Sequence, residues 1–236
     1  IQSYMHSIMR KANYSKPWNH IVIDNFFKQE TFQAIEKDFL QTKSTEDNKL
    51  LVQRNSMTAT GEIIVNNNFS EALMKKIYSE TYDLLYDLIS GIDIKRANLI
   101  NEIELNLVKT PAGFKFPIHD DAITKILSVV IYVSPLKSTG TYLYSSKDQK
   151  YCDKAVEWLP NRAVIFARER GKTWHSYSGD GASDRCTLVY NLTSSSLKKV
   201  LKLETFMGLY FLDKTYAQKK INALRGMLRQ KVGIKI

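Results

Sequence analysis

Cysteine, histidine and proline are scarce in this chain, at two, four and five of 236 residues. Cys152 and Cys186 lie far apart and form no CxxC pair, so two reduced thiols are expected and a disulfide framework is not. No apolar run approaches the roughly 18 residues of a membrane helix. The first residues, "IQSYMHSIMRKANYSKPW", hold no apolar signal-peptide centre; a cytoplasmic protein without a membrane anchor is expected. Repeats and low-complexity linkers are missing too. Any site built on histidine must draw on His6, His20, His119 and His175.

What is present is a globular composition, 44% hydrophobic and 25% charged, able to bury a core. The length fits one domain over residues 1–236. The net charge is +10, and residues 197–236 carry ten Lys/Arg against two acids, so the basic character belongs to the tail. Its Val200, Leu203, Phe206, Met207, Tyr210 and Phe211 recur at helical spacing. A helix with a solvated basic face is the expectation there, ahead of a nucleic-acid contact. Nothing in the sequence sets the oligomeric state.

The pattern along the chain falls into three parts. Residues 17–98 read as a short strand, Ile21 to Ile23, and two helices; the second is capped by Ser70 or a nearby Asn and followed by Gly91. Residues 99–196 change to period two. "LINEIELNLVKT", "ILSVVIYVSP", "GTYLYSS", "NRAVIFARE", "KTWHSYS" and "RCTLVYNLTS" are short β-branched and aromatic segments separated by turn signals. They predict a sandwich or barrel between flanking helices. Residues 43–68 are polar and irregular, as a substrate-side loop would be.

One of these strands is preceded by "KFPIHDD". On an extended segment His119 and Asp121 share a face, while Asp120 points to the other. An imidazole and a carboxylate converging at a strand edge are two ligands for a divalent transition metal. His175, on a late strand, is the best candidate for a third, and together they would make a two-histidine, one-carboxylate set with open positions. The plainer alternatives are a surface His–Asp pair and a hydrogen-bonded structural His175. Ten residues after His175 come Arg185 and Thr187, again at i and i+2. A guanidinium beside a hydroxyl facing into a barrel calls for an anion, unless Arg185 sits at the strand start and reaches water.

The order HxD, distal His, then Arg-x-Thr resembles that of the Fe(II)- and 2-oxoglutarate-dependent dioxygenases. "PWNHIVIDNFF", "ELNLVKTPAGFKFPIHDD", "LPNRAVIFARE" and "TWHSY" look like landmarks of the branch related to prolyl 4-hydroxylases. The resemblance implies an α+β fold with a double-stranded β-helix core, a cupin-like jelly roll, flanked by N- and C-terminal helices. It implies Fe(II) on His119, Asp121 and His175, and 2-oxoglutarate held by Arg185 and Thr187, with O2 as oxidant and ascorbate as an optional reductant. The implied reaction is hydroxylation of a C–H bond with release of succinate and CO2. Asp121 speaks against halogenation, since halogenating relatives lack that carboxylate. Relatives often carry a Tyr where Thr110 falls, so Thr110 stands as a substitute hydroxyl; Tyr132 and Asn106 are further pocket candidates. The substrate is expected to be a small molecule, an amino acid or a sugar. A protein or peptide side chain is the alternative, and a non-catalytic metal-binding jelly roll the second alternative.

Overall fold

The computed structural model describes residues 9–40 and 49–204. The expectations for His6, residues 43–48 and the tail beyond Glu204 lie outside them. In chain order the elements are β1 (Arg10–Tyr14), β2 (His20–Asp24), α1 (Gln29–Leu40), β3 (Leu51–Gln53), β4 (Asn55–Thr58), β5 (Ile63–Asn66), α2 (Glu71–Ala97), β6 (Glu102–Thr110), β7 (Lys115–His119), β8 (Lys125–Ser134), β9 (Thr141–Tyr144), β10 (Lys154–Val156), β11 (Ala163–Ala167), β12 (Trp174–Ser178), β13 (Arg185–Thr193) and α3 (Leu197–Glu204). Among the described residues no helix is long and apolar enough to cross a membrane.

Two sheets face each other, and every strand pair is antiparallel. The larger runs β1-β2-β11-β8-β13-β6-β4-β5, with β3 also on β6; the smaller runs β10-β9-β12-β7. From β6 onward the chain passes back and forth between them. This brings β7 beside β12, although more than fifty residues separate them in sequence.

The period-two alternation sorts the side chains of the larger sheet. Leu105 and Leu107 of β6, Val129 and Ile131 of β8, and Leu188 and Tyr190 of β13 turn outward. There they pack with Ile35 of α1 and Met74, Ile77, Leu85 and Ile89 of α2. Each such side chain, fully buried, contributes about 1.5–3 kcal/mol. The intervening residues point between the sheets, where Trp18, Tyr132, Leu143, Trp158 and Phe166 form a second cluster. With both faces of β8 covered, its sequence is a near-continuous apolar run.

Two sequence expectations change. Helix α2 does start on Ser70, whose hydroxyl accepts from the Leu73 amide at 3.2 Å. Gly91 does not end it: helical residues continue to Ala97, interrupted at Asp93, whose φ of −157° and ψ of 96° break the spiral. The Asp93 carboxylate accepts from the amides of Lys95 and Arg96 and so caps a new turn. Within residues 49–68, expected to be an irregular loop, the chain forms β3, β4 and β5 on the edge of the larger sheet. At three or four residues each they are too short for a period to show; β3 and β4 pair with β6, and β5 with β4.

Gly140, just before β9, packs directly against the backbone of β10. A Cβ there would stand 1.7 Å from the Val156 carbonyl oxygen. Gly140→Ala is therefore expected to displace β10 and to destabilise the fold by about 1–3 kcal/mol or more, as overpacking does. Chemical denaturation measures this, and an unchanged midpoint would contradict the close approach.

Candidate active site

His119 ends β7 and lies directly opposite His175 of β12. Their ring centroids are 4.2 Å apart. Asp121 follows two residues past the strand end and is buried. One ligand atom from each of the three can be chosen so that all lie within 4.8 Å of one another. In both histidines Nδ1 faces a backbone carbonyl, Pro117 at 3.0 Å and Thr173 at 2.9 Å. A carbonyl only accepts, so Nδ1 carries the proton and Nε2 keeps its lone pair. Burial, then the neighbouring His175, pushes the His119 pKa down to about 4, so this imidazole is neutral at pH 7, as a ligand must be.

Burial opposes ionisation of Asp121, but Lys125, His175 and hydrogen bonds from Lys125 and Ser128 outweigh it and hold the carboxyl below its ordinary range. Lys125 Nζ donates to Oδ1 at 2.7 Å and Ser128 Oγ to Oδ2 at 2.6 Å. Each oxygen retains a lone pair for a cation. The donor set, two neutral imidazole nitrogens and one carboxylate, fits Fe(II).

The other aspartate of the motif faces away. Asp120 accepts from the Gly171 amide at 3.0 Å, Thr173 Oγ1 at 3.1 Å and Arg168 Nη2 at 3.4 Å. Arg168 Nε donates to the Asp121 carbonyl at 2.6 Å. Asp120 thereby ties the His119–Asp121 segment to the turn that leads into His175.

Arg185 opens β13, but it does not reach water: it is 1% exposed. Its guanidinium lies 4.8, 5.1 and 5.6 Å from the ring centroids of Tyr177, Trp158 and Tyr132. Nε donates to the Thr139 carbonyl at 3.1 Å, while Nη2 has no partner. Among the described residues no carboxylate pairs with it. A caged cation with an unmet donor is costly to bury, and burial accordingly lowers its pKa. Arg185 shares one cavity of about 230 Å³ with the triad and with Thr187 and Asn106. An anionic co-substrate in that cavity would meet the unmet donor.

Thr110 and Tyr132 are placed differently. Thr110 is buried opposite Arg185 across the β6–β13 pair, and neither Thr110 nor Tyr132 lines the cavity that Arg185 does. Tyr132 supplies a wall of the cage, and its hydroxyl accepts from the Thr141 amide at 2.9 Å. Lys125, Ser128, Trp158 and Tyr177 were not foreseen from the sequence. Only Tyr177 left a signal, at i+2 from His175.

No protein-family model and no curated protein matches this sequence. Solved structures do. An oxidoreductase of the 2OG-Fe(II) oxygenase family from Burkholderia pseudomallei is 11% identical; the match covers 74% of this chain and 84% of that one, with a TM-score of 0.52. IDO from Bacillus thuringiensis is 13% identical over 75% and 90%, at 0.53. A prolyl hydroxylase from Trichoplax adhaerens, solved in complex with a hypoxia inducible factor oxygen degradation domain peptide fragment, is 15% identical over 79% and 87%, at 0.50. The chain has the fold of the 2OG-Fe(II) oxygenases. At these identities the likeness concerns the fold, and the chemistry must be carried by the residues themselves. In this oxygenase fold His119, Asp121 and His175 gather between the sheets, and Arg185 lies deeper in the same cavity.

Proposed function

We propose that the protein is an Fe(II)- and 2-oxoglutarate-dependent oxygenase. The observation that carries this is the buried, unpaired Arg185 in the cavity of the His119–Asp121–His175 cluster. We read β6 to β13, four in each of two antiparallel sheets, as the eight strands of a double-stranded β-helix.

In this reading His119, Asp121 and His175 hold Fe(II). Arg185 binds the distal carboxylate of 2-oxoglutarate through its outward guanidinium edge, with Thr187 donating a hydroxyl hydrogen bond. Tyr132, Trp158 and Tyr177 fix the plane of the guanidinium and keep water off it, which strengthens the pair. Lys125 and Ser128 orient the Asp121 carboxylate, and the carbonyls of Pro117 and Thr173 orient the two imidazoles. With O2, the bound iron and co-substrate supply an oxidative decarboxylation that inserts one oxygen atom into a C–H bond, giving an alcohol, succinate and CO2. We assign the substrate to small molecules such as amino acids or sugars.

The test is a substrate screen on the iron-loaded protein. Succinate should form slowly from 2-oxoglutarate alone and rise above that background with a true substrate, whose product gains one oxygen by mass spectrometry. Peptides in the same screen test the side-chain alternative. A protein that binds Fe(II) but forms no succinate under any condition would be the non-catalytic jelly roll.

A further inference from the structure

The cavity holds a second carboxylate besides Asp121. Glu104 lies on β6 among the barrel-facing positions and lines the cavity wall. Asn191 faces it across the β6–β13 pair, and Ser128 faces Asn191 across β13–β8. The three form one row over adjacent strands, and Ser128 ends the row at Asp121, donating at 2.6 Å. Two strand spacings put Glu104 about 10 Å from Ser128. Arg185 lies six residues before Asn191 on the same strand, roughly 20 Å away at about 3.3 Å per residue. The cavity thus has a cationic end and an acceptor end.

At the acceptor end two oxygens want donors. Asn191 Nδ2 donates to Glu104 Oε2 at 2.9 Å, and Asn106 Nδ2 approaches the same oxygen at 3.4 Å. Glu104 Oε1 receives no donor from any described residue. The lysine of the cavity, Lys125, is held on Asp121 instead. Because a carboxylate only accepts, the bond to Oε2 also fixes the Asn191 amide, with nitrogen toward Glu104 and oxygen away from it. Asn191 is 1% exposed, and its Oδ1 has no partner. An orphaned buried carbonyl is destabilising until something donates to it.

We infer that the substrate of this site carries a cationic nitrogen, an ammonium or guanidinium, which docks on Glu104 Oε1 and Asn191 Oδ1 while a carbon several bonds away lies at the triad. The inference rests on the oxygenase reading above and adds the substrate class to it. A neutral hydroxyl would satisfy one acceptor but leave the charge of Glu104 unanswered. An anionic group would be repelled. An ammonium, with three donors and one positive charge, answers both oxygens at once.

The experiment is calorimetry on the Zn(II)-substituted protein with saturating 2-oxoglutarate, where no turnover intervenes. The probes are 1,5-diaminopentane and its neutral isostere 1,5-pentanediol. The diamine is expected to bind at least ten-fold tighter, and Glu104→Gln, which keeps the shape and removes the charge, is expected to erase most of that preference. Free L-lysine against the blocked tripeptide acetyl-Gly-Lys-Gly-amide then separates a free metabolite from a peptide side chain as the source of the cation. Equal affinity of diamine and diol in the wild type would overturn the inference without any variant, as would an undiminished preference in a folded Glu104→Gln protein. Succinate formation by the wild type is measured in parallel. Turnover without a diamine preference removes this inference alone, whereas a diamine preference without any turnover supports the site and removes the oxygenase reading.

Discussion

His175→Ala will leave a folded protein that turns over no 2-oxoglutarate. The imidazole is one of the three ligands proposed for the metal, and its Nε2 is the lone pair left free when Nδ1 donates to the Thr173 carbonyl. Removing it leaves His119 and Asp121, too few to hold a metal with open positions against water. The structural loss is smaller: a 5.0 Å edge contact with Phe166 and one hydrogen bond to backbone, about 1–3 kcal/mol in all. Bound metal should fall from one per chain to near zero, while the circular dichroism spectrum stays native. Asp121→Ala should lose the metal equally. Asp120→Ala should do the reverse: it removes the acceptor for Gly171, Thr173 and Arg168 and lowers the melting temperature, yet keeps the metal. Metal analysis and thermal melts on the three variants decide the matter. Greater metal loss from Asp120→Ala than from Asp121→Ala would show that the two faces of the motif are assigned the wrong way round.

The second large effect is expected at Arg185. If its guanidinium meets the 2-oxoglutarate carboxylate, the pair is bidentate and shielded by three aromatic rings. Truncating one partner of such a desolvated pair costs about 2–5 kcal/mol. Arg185→Ala should therefore raise the 2-oxoglutarate constant roughly thirty-fold or more, at about 1.4 kcal/mol per factor of ten. Arg185→Lys should recover only part of this, since an ammonium offers neither the planar fork nor the stacking against Tyr177, Trp158 and Tyr132. Metal content should survive, because the triad is untouched. In the absence of co-substrate the Ala variant has no ion pair to lose. A thermal scan adds a readout independent of turnover. A ligand at a hundred times its dissociation constant stabilises by about 2.7 kcal/mol, and one bound thirty-fold more weakly at the same concentration by only about 0.9 kcal/mol, so 2-oxoglutarate should raise the melting temperature of the wild type by roughly three times as much as that of Arg185→Ala, or more. Equal shifts in both would remove Arg185 from the co-substrate site.

Much of this molecule was legible in the residues alone, and the legible part is local. Short β-branched and aromatic segments marked β6, β8, β9, β11, β12 and β13, because a strand buried on one face alternates and one buried on both, such as β8 or β11, reads as a continuous apolar run. The same rule put His119 with Asp121, and Arg185 with Thr187, on common faces, and it separated Asp120 from its neighbour. Ser70 was readable as a cap because capping is a contact over three residues. The order of the two histidines, the aspartate and the arginine suggested which of them to bring together.

Tertiary structure alone decided the rest. Strands β3, β4 and β5 are too short to announce themselves, and exist because β6 offers an edge to β3 and β4, and β4 in turn to β5. The break of α2 at Asp93 comes from a side chain competing for backbone amides, which no helical spacing records. Lys125 and Ser128 gain their place on Asp121 from the path of the chain between β7 and β8, and Asp120 finds Thr173 across 53 positions. The three rings around Arg185 come from β8, β12 and the segment after β10. The row from Glu104 through Asn191 to Ser128 joins residues up to 87 positions apart in sequence. Alternation tells each residue which face it occupies; only the register between distant strands tells it what it will meet there.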